Sequence, residues 1–237
     1  MAESAGILLL DAEDNSEAGL TVTEEGSNIF SIATGAKAHG TYGYNFAFSG
    51  NDGENDCNFY KSFTAGADIY MRFYLYIPSA FDCNQGAQLT FGGLHYAKTA
   101  VAAKPYFLRD ASGNINLYRF YYYTNTGITN AAITPTTITR DTWHYMEMRF
   151  KSGAGDGVVT LWMDGSEIVS VTDLTNNNYQ AGYASAGNIT GAIPTASSEF
   201  YIDDIKIDSL SIGAYADEAT GSIVPIILAM DHFNGGM

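Results

Sequence analysis

The chain has 237 residues, 46% of them hydrophobic, with 26 acidic against 11 basic side chains and a formal charge of −15. This length suits one substantial core, and an all-β sandwich of such a size is commonly a single domain. The acidic balance lacks the basic footprint that nucleic acid requires and opposes an anionic membrane, while it favours solubility and cation binding.

From the amino terminus, Met1–Gly6 carries no basic stretch, and the apolar run 7–10 is too short for a signal-peptide core. This predicts cytoplasmic synthesis without Sec-type export. Strand signals punctuated by Gly, Asn, Asp or Ser recur at 7–11, 20–24, 28–33, 41–48, 57–63, 69–77, 87–93, 104–109, 115–123, 143–151, 157–163, 166–172 and 199–208. No stretch of helical length holds a helical period. Seventeen Tyr and thirteen Phe fit such strands, since aromatic rings suit half-buried sheet surfaces.

A turn at Ala65–Asp68 predicts a hairpin that would set Cys57 opposite Tyr76, short of Cys83, so a disulfide needs the loop after Pro78 to fold back. Asp164-Gly165 is a strong two-residue hairpin signal between 158–163 and 166–171.

Alternation sorts the strand faces. In 69–77 the residues Ile69, Met71, Phe73, Leu75 and Ile77 oppose Arg72, Tyr74 and Tyr76; in 143–150 the residues His144, Met146, Met148 and Phe150 oppose Trp143, Tyr145, Glu147 and Arg149. The two segments fit neighbouring strands with one face on the core. Arg72, Tyr74, Tyr76, Tyr145 and Glu147 are then candidates for contacting sugar, through ring stacking and hydrogen bonds to hydroxyls. The alternative is a solvated sheet on which Glu147 pairs with Arg72 or Arg149. In the strand 199–208, Tyr201, Asp203, Ile205 and Ile207 are predicted to share one face, so Asp203 needs a partner, a hydrogen-bond cage or a metal. His39, His144 and His232 show no metal-ligand spacing. Beyond the domain 1–208, the extension 209–237 carries the apolar run Ile223–Met230, too short to span a bilayer and a candidate assembly segment.

Taken together, the segments Ala38–Gly43, Tyr60–Phe63, Met71–Leu75, Thr142–Arg149, Val159–Gly165 and Tyr201–Ile205 resemble, in order, the concanavalin A-like lectin/glucanase superfamily, particularly its laminin-G-like jelly rolls. The resemblance implies an all-β fold, a two-sheet antiparallel jelly-roll sandwich, with a structural calcium ion joining the first strand region to the last. Its candidate ligands are Asp11, Glu13, Asp14 and Asp203, oxygen donors of the type calcium takes. The superfamily includes glycan-binding modules, glycoside hydrolases, polysaccharide lyases and domains on bacteriophage particles. The paired-carboxylate strand of a retaining glucanase is missing, since Glu147 stands alone on its strand. A lyase needs a cation and a proton-transferring side chain, types that Arg72, Tyr74, His95, Tyr96 and Arg119 supply, but the motifs of jelly-roll alginate lyases are not matched and the acidic surface opposes polyuronate. The leading expectation is a non-enzymatic jelly-roll protein of a virion or extracellular surface, adhering to a glycan, with assembly contacts through the tail. A polysaccharide lyase is the alternative, and a cell-surface carbohydrate-binding module a third reading.

Overall fold

The computed structural model describes residues 7–17, 19–48, 56–188 and 198–213. They form β1 (Leu8–Leu10), β2 (Thr21–Glu24), β3 (Ile29–Ala33), β4 (Gly43–Phe48), β5 (Cys57–Gly66), β6 (Asp68–Tyr76), β7 (Gln88–Leu89), β8 (Gly92–Ala97), β9 (Ala100–Arg109), β10 (Ile115–Thr124), β11 (Gly127–Thr137), β12 (Trp143–Lys151), β13 (Ala154–Met163), β14 (Ser166–Thr175), β15 (Ala181–Asn188) and β16 (Ser198–Asp208). Two antiparallel eight-stranded sheets result. Sheet A runs β14-β13-β12-β6-β16-β4-β3 with β1 on β16; sheet B runs β11-β10-β9-β8-β15-β5-β2 with β7 on β9. This is the jelly-roll sandwich. No helix among the described residues is long and apolar enough to cross a membrane.

The inner faces meet in an aromatic core. Phe46 stacks on Phe200 with centroids 5.1 Å apart, and Phe91 lies 4.7 Å from Phe200 and 4.8 Å from Phe107, so the rings tie sheet A to sheet B. Removing one such buried ring costs about 3–5 kcal/mol. The two predicted faces pair as expected, β6 against β12, with Arg72 opposite Glu147 and Tyr76 opposite Trp143. Asp164 and Gly165 join β13 to β14 with φ of 50° and 79°, as a tight hairpin turn requires.

Two expectations change, at a turn and at a bulge. Ala65–Asp68 is no hairpin: β5 belongs to sheet B and β6 to sheet A, so the turn carries the chain between layers. Cys57 and Cys83 are both free and buried. In β16 the register slips between Asp203 and Lys206, with Asp204 at φ 46°. This bulge breaks the alternation. Asp203 lies opposite Tyr74 and Tyr201 opposite Tyr76 on the outer face of sheet A, whereas Ile205 and Ile207 enter the core. The carboxylate therefore never faces the interior between the sheets. Its burial comes from a loop laid over the outside.

Candidate functional site

The outer face of sheet A holds the five residues expected to meet sugar, and most of it is covered by the chain itself. Residues 36–42 lie across one part and 209–213 across another. Arg72 is fully buried and Tyr74 and Glu147 nearly so. Glu147 accepts hydrogen bonds from Ser211 Oγ (2.8 Å), Ile212 N (3.0 Å) and Gly213 N (2.7 Å). Arg72 donates to the carbonyl oxygens of Gly213 (3.3 Å) and Asp204 (3.4 Å), with its guanidinium 5.3 Å from the Tyr74 ring centre. Arg149 turns to Asp68 in a two-pronged pair at 2.8 and 2.6 Å. Charge on this face is answered from within the chain, which differs from the solvent-facing sheet expected. Tyr76 and Tyr145 remain half-exposed.

The four carboxylates expected to share calcium do not gather into one ligand set. Glu13 Oε1 accepts from the backbone N–H groups of Thr41 and Tyr42, and Asp203 Oδ2 from those of Ala38 and His39. Both acids thus fasten the same loop, from separate points. Asp11 and Asp14 cap their own turn through the Glu13 and Ser16 N–H groups. The group that does form is His39, Asp203 and Asp204, whose donor atoms lie within 4.8 Å of one another. His39 Nδ1 contacts Asp204 Oδ2 directly. Burial, then the neighbouring Asp204 charge, raise the Asp203 carboxyl to about 8; burial raises Asp204 as well. The imidazole makes this set better suited to zinc or nickel than to calcium.

Sheet B presents a different outer face. Tyr60 on β5 lies opposite Ser185 on β15, Ser185 opposite Gly93 on β8, and Lys104 on β9 opposite Tyr121 on β10. These positions form a row across the strands. A Cβ on Gly93 would come 2.8 Å from Lys104 Cβ and 3.6 Å from His95 Nε2, so only glycine lets those side chains converge over β8. His95 Nε2 is 2.8 Å from Ser185 Oγ, and the Tyr60 ring stands edge-on to the imidazole at 5.2 Å. His95 Nδ1 has no hydrogen-bond partner among the described residues. Burial, and secondarily the Lys104 charge, lower His95 to about 3, so the ring is neutral at ordinary pH. Lys104 is lowered to about 8 by burial, with Asp56 and Tyr121 acting against the shift. Its ammonium sits 4.9 Å from the Tyr106 ring centre, Tyr106 packs on Tyr121 at 4.3 Å, and Arg119 Nη1 donates to the Tyr121 hydroxyl at 3.3 Å.

This face thus gathers a neutral imidazole, two cations and several phenols. The residues named for a lyase are split by the fold: His95 and Arg119 lie here, while Arg72 and Tyr74 belong to the opposite sheet. Tyr96 packs away from His95, against Tyr123 and Tyr179. Lys104, Tyr106, Tyr60 and Ser185 escaped the sequence reading. The Lys-x-Tyr step in Ala102–Phe107 does place 104 and 106 on one face, but nothing local pairs them with His95.

No known protein family's sequence profile matches the chain. No curated protein matches it either. Solved structures do. An endo-β-1,4-glucuronan lyase from the fungus Trichoderma reesei is 12% identical, with TM-score 0.64 over 86% of this chain and 95% of that one. A cellulose-induced protein is 14% identical, with TM-score 0.61 over 88% and 100%. An alginate lyase, with a lysine and a tyrosine replaced by alanine and an alginate tetrasaccharide bound, is 12% identical, with TM-score 0.54 over 83% and 99%. At these identities the likeness is one of fold, and the chain is an all-β jelly-roll sandwich.

Proposed function

We propose that the outer face of sheet B takes an anionic polysaccharide and cleaves it by β-elimination. The observation that carries this reading is the convergence of Lys104, Tyr106, Tyr121 and Arg119 beside the neutral His95. Structural neighbours that are named as glucuronan and alginate lyases support it. In this mechanism Lys104 neutralises the uronate carboxylate, which makes the proton on the adjacent ring carbon removable. Tyr121 reacts as its phenolate, with the Arg119 guanidinium 3.3 Å from its oxygen, and becomes the phenol as it takes that proton. The carbon–oxygen bond to the leaving sugar breaks as the ring double bond forms, and the Tyr106 hydroxyl protonates the departing oxygen. His95, held by Ser185, orients the substrate.

Non-enzymatic glycan adhesion, as on a virion or cell surface, is the second reading. It is favoured by the near-complete burial of His95 and Lys104, at 1% and 3% exposure. Of the tail expected to mediate assembly, residues 209–213 fold back on sheet A, and 214–237 lie outside the described residues. A panel of alginate, glucuronan and pectate, followed by the ultraviolet absorbance of the unsaturated product, separates the readings. Turnover that Lys104→Met and Tyr106→Phe abolish is the expected result. Binding with no unsaturated product overturns elimination and leaves adhesion.

We also propose a structural divalent cation at His39, Asp203 and Asp204, supported by two buried adjacent carboxylates beside an imidazole. A chelator is expected to lower the melting temperature, and readdition of calcium or of zinc to the stripped protein identifies the ion. An unchanged melting temperature leaves Asp203 as a purely hydrogen-bonded anchor.

A further inference from the structure

The part of sheet A that its loops leave open carries an aromatic row. Trp143 on β12, Tyr76 on β6 and Tyr201 on β16 are cross-strand neighbours on the outer face. Their ring centres are 5.3 Å apart for Tyr76 and Trp143, and 5.7 Å for Tyr76 and Tyr201, the second pair stacked at 26°. With Gly35 and Pro78 these rings line a cleft of about 410 Å3. All three are half-buried, so each shows a ring surface to solvent.

The rim is polar and acidic. Asp141 Oδ1 accepts from Ser79 N at 2.8 Å and from the Tyr76 hydroxyl at 3.4 Å. Glu199 accepts from the Tyr201 hydroxyl and, at 3.3 Å, from Asn45 Nδ2. The phenols are therefore held in place by carboxylates that keep further acceptor capacity.

We infer that this cleft is a second glycan site, for a neutral, hydroxyl-rich chain, on the opposite sheet from the elimination site. Three rings spaced by the strand separation offer apolar surface to the axial C–H faces of linked pyranoses. Glu199, Asp141 and Asn45 stand where sugar hydroxyls would donate or accept. The same two carboxylates repel uronate and sulfate, and the adjoining Arg140 spends its guanidinium on the carbonyl oxygens of Pro78, Ser79, Phe81 and Gly113. The face is thus complementary to an uncharged polysaccharide, and unlike sheet B, where Lys104 and Arg119 select anions. This inference does not depend on the elimination chemistry.

Calorimetric titration of the whole chain with neutral gluco-, manno- and xylo-oligosaccharides, beside oligouronates of matched length, tests it. At least one neutral series is expected to bind, with Kd raised roughly tenfold by Tyr201→Ala and more by Trp143→Ala, about one aromatic contact each. Lys104→Met should leave that Kd unchanged. Since the chain has two tryptophans, a Trp162→Phe background makes Trp143 the reporter, and its emission should shift on binding. Retained circular dichroism shows that the variants fold. The site is overturned if no neutral oligosaccharide binds the folded protein, if Tyr201→Ala and Trp143→Ala bind as wild type, or if oligouronates compete equally for the cleft.

Discussion

The two outer faces of the sandwich solve the same problem in opposite ways. Both bury ionisable side chains on the side of a sheet that faces away from the core. On sheet A the chain supplies the partners: the Ser211 hydroxyl and the backbone N–H groups of 212 and 213 hold Glu147, and those of 38 and 39 hold Asp203. Charges satisfied in this way stiffen a structure and leave little chemistry to spare. On sheet B the buried groups meet mainly other side chains, and burial drives Lys104 and His95 toward their neutral forms, as it does Asp203 on sheet A. In the proposed elimination Lys104 and His95 set the charge and the fit around the phenols that move the proton. Burial alone does not separate structural from functional charge. What answers the charge does.

Substitutions can break this contrast, and the largest effect is expected on sheet B. Tyr106→Phe removes a hydroxyl and little packing, and turnover of an anionic polysaccharide should fall about 10²–10⁴-fold. The midpoint of denaturant unfolding should hardly move. A large stability loss with unchanged specific activity would make sheet B a second structural face.

Glu147→Ala should behave in the opposite way. It leaves the Ser211 hydroxyl and the N–H groups of Ile212 and Gly213 without their acceptor, for a loss of about 3 kcal/mol in urea unfolding. Turnover per folded molecule should be unchanged.

A smaller effect is the acid dependence set by His95. Its folded pKa, about 3, lies below the ordinary histidine value, so the folded state binds fewer protons than the unfolded one between the two. The stability from keeping this ring neutral is full above about pH 6.5 and is lost as pH falls towards 3, at up to about 1.4 kcal/mol per pH unit for one proton. Unfolding free energies across that range should show this slope, and His95→Gln should flatten it.

The smallest effect concerns His144, which faces inward from β12 and is held between Asp164 Oδ2 at 2.6 Å and the Thr139 carbonyl oxygen at 3.0 Å. The Asp164 hydrogen bond raises its pKa. Its stabilisation is therefore present below the unfolded value near 6.5 and lost as pH rises through the folded one. Asp164 is 44% exposed, so Asp164→Asn should remove under about 1 kcal/mol at pH 6 and nothing measurable at pH 9.

The strands that sequence made visible carry strong alternation or strong β-formers, as in Ile69–Ile77 and Trp143–Phe150. The missed ones have physical reasons. β15 reads Ala-Gly-Tyr-Ala-Ser-Ala-Gly-Asn, composed mostly of small residues because Phe46, Ala65 and the β5 backbone press closely on its glycines. β11 is a polar edge strand with Pro135 inside it, a residue that counts against a strand except at an edge. Residues 87–93 formed a single predicted strand but divide between β7 and β8, since Thr90 and Phe91 make the step between them.

By itself the sequence determined the all-β sandwich, the pairing of β6 with β12, the hairpin at Asp164-Gly165 and the acidic character that excludes a nucleic-acid footprint. Those features follow from local periodicity, turn chemistry and composition, all of which act between neighbours along the chain. Tertiary structure alone decided which outer face carries which chemistry. Arg72 and Glu147 look available until residues 209–213 close over them, and Asp203 looks inward until the bulge at Asp204 turns it out. Lys104 and Ser185, eighty-one positions apart in the chain, meet around His95 only because β9, β8 and β15 stand side by side in sheet B. Such contacts depend on strand order, and strand order is set by how two whole sheets bury their aromatic faces together.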